Sequence, residues 1–266
     1  MPNISIGSSS FHVLDQGRGQ PLLLVHGFPL DHTMWRAQVS ELAKDHRVLA
    51  PDLRGFGQSS PITADDAVVT MAQFADDLAA LLSALNIKEQ VTFCGFSMGG
   101  YVAWQFADRH VDQLGRLILC DTKAAADTKE AAENRHKLAA KVLAEGSPVA
   151  ADAMLPKLFS KRAIESKAVC VEETRQTILR TSPQAIAAAL RGMAAREDFT
   201  ANLAAISVPT LVICGAEDAI SPPSEMRSIA AAIPGAEYAE IPAAGHMSPV
   251  EDPLTVNQAI RKFLSS

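Results

Sequence analysis

The sequence predicts an α/β fold: a mostly parallel sheet covered by helices on both faces and interrupted by one helical insertion. Three observations lead there. Strand-length apolar runs alternate with helix-period stretches over 21–115 and again after 208, the pattern of strands joined by crossover helices. Between about 122 and 198 the strand signal stops, and Ala, Lys, Glu and Arg dominate. With 48% hydrophobic residues over 266 positions, the chain can bury such a sheet in one large domain.

The first strands are expected to be antiparallel, and His12 and His46 stand beside strands. Pro21-Leu22-Leu23-Leu24-Val25 is apolar throughout and reads as a buried strand, followed by the tight turn His26-Gly27-Phe28-Pro29. His32 falls in a polar turn before the first helix. Met71, Phe74, Leu78, Leu81, Leu82 and Leu85 recur at helical spacing and should lay one stripe on the sheet. Further strands are expected over 91–94, 117–120 and 210–214, then a strand-like run before a loop at 241–249 and a last helix over about 253–263.

Within the insertion, helices are expected over 130–145, 150–159 and 183–196. It leaves after one strand and returns before the next, which puts it over the C-terminal ends of the strands. The chain therefore divides into a core of 1–121 and 199–266 and a cap of 122–198. Met154, Leu155, Leu158 and Phe159 would either line a pocket or, as such spacing more often means, pack the cap onto the core.

The chemistry centres on Cys94-Gly95-Phe96-Ser97-Met98-Gly99-Gly100, between a strand and a helix. A strand turning sharply into a helix crowds its neighbours, so only glycine fits on either side of a serine held in a strained conformation. That turn lifts the hydroxyl above the sheet, where the unpaired amides of the new helix carry partial positive charge. A serine hydroxyl is a poor nucleophile until a histidine takes its proton and a carboxylate holds that histidine in the right tautomer. Of seven histidines, His246 lies in a small-residue, turn-rich loop at a strand's end, in Ala244-Gly245-His246-Met247, and suits the role. His110 and His136 read as helix-surface residues. Asp218, after the strand over 210–214, suits the carboxylate; Asp121, which also ends a strand, is a rival, and Glu217 a weaker one. The amides of Met98 and of Phe28 could meet the oxyanion of a tetrahedral intermediate, because Pro29 has no N–H and stiffens the turn around Phe28.

These segments resemble the α/β-hydrolase superfamily. His26-Gly27-Phe28-Pro29, Asp52-Leu53-Arg54-Gly55-Phe56-Gly57-Gln58-Ser59, Gly95-Phe96-Ser97-Met98-Gly99, Gly215-Ala216-Glu217-Asp218 and Gly245-His246 follow one another in family order over nearly the whole chain. The resemblance implies an eight-stranded sheet with an inserted cap, a Ser97, Asp218, His246 triad, an oxyanion hole from the Phe28 and Met98 amides, and a loop-shaping role for His26. Within the superfamily the chain is most similar to small bacterial carboxylesterases, enol-lactonases such as 3-oxoadipate enol-lactonase, and cofactor-free perhydrolases. Many enol-lactonases carry an Asn-Ser-Leu-Gly type loop where this chain has His26-Gly27-Phe28-Pro29, which favours the esterase. Ser97 excludes the dehalogenases and epoxide hydrolases, whose nucleophile is an aspartate. A non-catalytic small-molecule receptor on the same fold is the remote alternative.

The resemblance implies a small-molecule ester or lactone as partner, and composition argues against nucleic acid. Twenty-four basic against 30 acidic residues give a net charge of −6, with no basic block to hold nucleic acid. Neither a basic leader with an apolar core nor an 18-residue apolar run occurs, so a cytosolic protein without membrane attachment is expected. Cys94, Cys120, Cys170 and Cys214 form no metal-spaced cluster, and no phosphate-binding loop, dinucleotide fingerprint or zinc motif appears, so no cofactor or metal is implied. Arg180, Arg191 and Arg196 in the cap are candidates to read a substrate carboxylate, against the commoner role of solvated helix arginines.

Overall fold

The computed structural model describes residues 3–7, 9–63 and 67–265. The leader expectation rests partly on Met1 and Pro2, which lie outside these. The strands β1 (Asn3–Ile6), β2 (Ser9–Gln16), β3 (Pro21–Val25), β4 (Arg47–Pro51), β5 (Val91–Phe96), β6 (Leu114–Cys120), β7 (Thr210–Gly215) and β8 (Glu237–Ile241) build one eight-stranded sheet, ordered β1-β2-β4-β3-β5-β6-β7-β8. As expected, the opening is antiparallel, β1 to β2 and β2 to β4, and every later pairing is parallel. Every residue of β3, β5 and β7 is buried, which a strand achieves only when both faces of its sheet are covered. β8, at the edge, keeps Glu237 and Glu240 exposed, charges that discourage pairing with a further strand.

The covering helices are α1 (Arg36–Leu42), α2 (Met71–Ala84), α3 (Met98–Arg109), and, beyond the insertion, α9 (Pro223–Ala232), α10 (Ser248–Glu251) and α11 (Pro253–Leu264). α2 packs on α3 and α1 on α11. The apolar stripe of α2 is buried as its spacing predicts, and Thr70 and Gln73 cap its start reciprocally, a motif whose loss typically costs about 1 kcal/mol.

Between β6 and β7 lie α4 (Lys129–Glu145), α5 (Pro148–Leu158), α6 (Lys161–Glu165), α7 (Val169–Arg180) and α8 (Pro183–Ala194). Three match the expected segments within a few residues. α6 is a single turn, and α7 is rich in β-branched Val169, Val171, Thr174, Thr177 and Ile178, whose low helix propensity hid it. α4 packs along α8, and Leu158 and Phe159 are buried. The stem of the insertion is held by Asp127, whose carboxylate pairs with Arg135 (2.5 Å) and Arg196 (2.8 Å). Arg196 also lies over the Tyr101 ring, 4.2 Å from its centre, and Arg191 donates to the Ala67 carbonyl (2.9 Å). Both guanidiniums are thus engaged by the chain itself, and Arg180 donates to the Thr177 hydroxyl (3.2 Å).

The loops after β3 and β4 are joined by Asp52. One of its oxygens accepts from the His32 amide and from His32 Nδ1 (2.8 Å each), and the other from the Gln58 amide (2.8 Å). Gly57 has φ +52°, and a Cβ there would overlap the Asp52 carboxyl, which explains the glycine in the Asp52–Ser59 motif. Burial pulls the His32 pKa down, but the hydrogen bond and charge of Asp52 outweigh it and leave it raised. Burial opposes ionisation of Asp52, yet the His32 hydrogen bond and nearby charges hold its carboxyl below the usual value. The stability from His32 is therefore fully present below its unfolded value, about 6.5, and is lost as pH rises through the raised folded value. The Asp52 share is lost only as pH falls through its lowered value. His32→Asn keeps an N–H donor without the charge, so its melting temperature should lie below that of the wild type near about pH 6 and converge with it in more alkaline buffer. A gap unchanged from acid to alkali would contradict this account.

Candidate active site

β5 passes into α3 through Ser97, whose φ of 51° and ψ of −112° place a non-glycine residue in a strained region costing on the order of 1–3 kcal/mol. The surroundings impose it. The Ser97 amide donates to the Cys120 carbonyl (2.9 Å), and the Ser97 carbonyl accepts from the Gly100 amide (2.9 Å) and the Thr122 hydroxyl (2.7 Å). A Cβ at Gly95 would overlap the Gly99 carbonyl, one at Gly99 the Val25 carbonyl, and one at Gly100 the Thr122 side chain. Each glycine of the motif thus answers to a named backbone or side-chain atom.

Ser97 Oγ lies 2.9 Å from His246 Nε2, and His246 Nδ1 lies 2.8 Å from Asp218 Oδ2. The structure thus brings the three expected residues together, from the ends of β5, β7 and β8. His246 and Asp218 are almost inaccessible to water, while Ser97 is half-buried. The second Asp218 oxygen accepts from the Ile220 (2.7 Å) and Ser221 (2.9 Å) amides, so the turn after β7 fixes the carboxylate. With Asp218 accepting the Nδ1 proton, His246 turns the lone pair of Nε2 toward the serine hydroxyl. Such a chain can take the serine proton and return it to a leaving group.

Among the described residues, neither rival bonds His246. Glu217 is exposed. Asp121, with no accessible surface and φ 49°, accepts from the Gly215 amide (2.8 Å) and the Ser248 hydroxyl (2.5 Å), bracing the ends of β6, β7 and the start of α10. Burial, then the neighbouring charge of Asp218, push its carboxyl well above the usual range.

The turn after β3 lies against the elbow: a Cβ on Gly27 would come within 2.6 Å of the Phe96 ring and 3.1 Å of its carbonyl. Among the described residues, neither the Phe28 nor the Met98 amide has a hydrogen-bond acceptor, as an oxyanion site requires. His26 is fully buried; its Nε2 accepts from the Leu53 amide (3.0 Å), which leaves the proton on Nδ1, bonded to the Gly27 carbonyl (2.9 Å). Burial lowers its pKa, in keeping with this neutral, loop-shaping bonding. His110 bonds Asp76 (2.7 Å), and His136 is exposed on α4. All four cysteines are free; Cys94, Cys120 and Cys214 are buried.

Sequence reasoning did not single out Thr122, Ser248 or Glu251 as site residues. Glu251 accepts from the Gly245 amide (2.8 Å), next to His246. The only signal it left was the acidic pair Glu251-Asp252 following Met247-Ser248-Pro249-Val250, four residues without charge.

A mostly parallel sheet with a strained serine between β5 and α3, answered by an acid after β7 and a histidine after β8, defines the α/β-hydrolase class of protein. The chain belongs to the α/β-hydrolase family: the family profile, described as the alpha/beta hydrolase fold, matches residues 20–253. It is similar to a thermophilic esterase from Thermogutta terrifontis, with 46% identity and a TM-score of 0.94 over 99% of this chain and 97% of that one. It is also similar to the enol-lactonase from Burkholderia xenovorans LB400, with 31% identity and a TM-score of 0.90 over all of both chains. The 3-oxoadipate enol-lactonase 1 of Acinetobacter baylyi is 30% identical over 89% of this chain and 85% of its own. Among the described residues no helix is long and apolar enough to cross a membrane.

Proposed function

We propose that the protein hydrolyses carboxylic esters of small to medium apolar acyl groups through an acyl-enzyme. The observation that carries this is the hydrogen-bonded chain Ser97, His246, Asp218, with links of 2.9 and 2.8 Å. Ser97 Oγ attacks the acyl carbonyl as His246 Nε2 takes its proton. The carbonyl oxygen gains negative charge and accepts from the Phe28 and Met98 amides; one such donor is worth about 3 kcal/mol. His246 returns the proton to the leaving alkoxide. Water, deprotonated by the same nitrogen, then releases the acid, while Asp218 orients the imidazole throughout. Residues 122–198 act as a cap over this site, on a core of 1–121 and 199–266. The similarity to the Thermogutta esterase supports the ester as substrate.

A second reading, hydrolysis of an enol-lactone, draws on the relatives of that name. The same serine would open a cyclic ester by the same steps. The loop His26-Gly27-Phe28-Pro29 in place of an Asn-Ser-Leu-Gly type argues for the open-chain ester. Two measurements test the proposal. A fluorophosphonate probe should label the protein stoichiometrically at Ser97, and short-chain p-nitrophenyl esters should turn over faster than an enol-lactone. Absence of labelling would point to a receptor and end the enzyme proposal; faster lactone turnover would select the second reading.

A further inference from the structure

The loop that carries His246 is anchored on both sides of the imidazole, and both anchors reach the cap. Before it, the Gly245 amide donates to Glu251 Oε1 (2.8 Å). The same carboxylate accepts from the Ser160 hydroxyl (2.6 Å) and the Ser160 amide (3.1 Å to Oε2). After it, the Met247 amide donates to the Leu158 carbonyl at the end of α5 (2.9 Å). The contact is tight: a Cβ on Gly245 would stand 2.5 Å from the Ser160 nitrogen and 2.6 Å from the Phe159 carbonyl carbon. Ser160 is itself fixed, since its hydroxyl accepts from the Ala163 amide (3.3 Å) at the start of α6 and only 1% of its surface is exposed.

Every hydrogen bond to Glu251 comes from an N–H or O–H donor, one set on the histidine loop and one on the cap. Two donors on one segment and one on another need an acceptor at each oxygen, which a carboxylate supplies and an amide does not. The cap also reaches the loop after β3: the Thr181 hydroxyl at the α7–α8 junction donates to the Pro29 carbonyl (3.1 Å), and the Ser147 hydroxyl to the Thr181 carbonyl (2.8 Å). The cap thus holds both the histidine loop and the Phe28 loop.

We infer that Glu251 is a positioning residue that locks His246 in line with Ser97 by tying its loop to the cap at Ser160, so that seating of the cap and alignment of the imidazole are one event. The inference rests on the ester-hydrolase reading. A reacting pair displaced by about 1 Å loses rate on the order of a hundredfold, so a loose loop shows in kcat rather than in KM.

The test compares kcat and KM for p-nitrophenyl butyrate, with the rate of fluorophosphonate labelling, in wild type, Glu251→Ala, Glu251→Gln, Ser160→Ala and the double variants. Glu251→Ala should lower kcat and the labelling rate by about 10- to 100-fold, with KM within about threefold. Glu251→Gln should recover only part of that and stay several-fold below wild type, because its amide oxygen still accepts from Gly245 but its NH2 meets the Ser160 N–H, donor against donor. Ser160→Ala should cost about threefold, and adding it to either Glu251 variant should cost little more, since both changes break one link. Glu251→Ala within about twofold of wild-type kcat, or losses that multiply in the double variants, would overturn the inference. If Glu251→Ala does not fold, Glu251→Gln and its double variant decide by the same comparison. A wild type that neither labels nor turns over ester removes the underlying reading, whereas an active wild type with indifferent Glu251 variants removes only the brace.

Discussion

Replacing Ser97 by Ala is expected to lower turnover of an activated ester by about ten-thousand-fold or more while substrate binding largely survives. The loss is that large because, among the described residues, Ser97 Oγ is the hydroxyl bonded to His246 Nε2, at 2.9 Å. The fold should not suffer. Ala adopts the same backbone as Ser at φ 51° under the same contacts, and the hydrogen bonds that hold the elbow run through the Ser97 amide and carbonyl, not its side chain. An unchanged melting temperature with residual kcat at the level of the oxyanion site alone is the expected pair of results. Near-normal turnover in this variant would withdraw the nucleophile assignment.

Asp218→Asn should be nearly as damaging, about ten-thousand-fold in kcat, and Asp121→Asn close to neutral. The contrast follows from what each carboxylate touches. At 218 an amide NH2 in place of the oxygen bonded to His246 Nδ1 would face a donor, favour the wrong tautomer and turn a proton rather than a lone pair toward Ser97. At 121 an Asn keeps an oxygen for the Gly215 amide, and its NH2 can donate to the Ser248 hydroxyl, which rotates to accept. The two should also separate in stability. Asp121 is raised by burial and by the charge of Asp218, so its ionisation opposes the fold: the stability of the protonated form is lost as pH rises through that raised value. Asp121→Asn never ionises and should gain on the wild type in alkaline melts. The reverse ranking, with 121 the sensitive position, would make Asp121 the orienting acid.

The fold and the centre of the site were legible because each rests on a local signature. β3, β5 and β7 are continuous apolar runs, as strands covered on both faces must be. Gly95 and Gly99 mark the elbow because their Cβ positions are occupied by backbone, a constraint written into sequence as glycine. Asp218 and His246 could be found because their chemistry restricts the residue type and their loops follow strands. α7 was hidden because tertiary packing overrides the low propensity of its β-branched residues. β8 was poorly marked because an edge strand needs no apolar face. Glu251 escaped, and Asp121 was visible only as a rival acid, for another reason: a carboxylate in a loop has no pattern of its own, and what each does depends on partners 91 and 94 positions away along the chain. The arginines of the insertion look alike in sequence, yet Arg196 closes the stem and Arg191 bonds a loop carbonyl.

The Asp127 stem sets terms for protein engineering. Arg196 and Asp127 are both nearly water-free, and separating such a pair leaves an uncompensated charge at a cost of about 3–5 kcal/mol. A graft that exchanged the helices between β6 and β7 would have to transplant both strands of that stem as one unit. Spliced within it, the chimera would strand a guanidinium indoors; spliced outside it, the pair travels intact, and the new helices must still supply the partners of Asp127 and Glu251 that Arg135 and Ser160 provide.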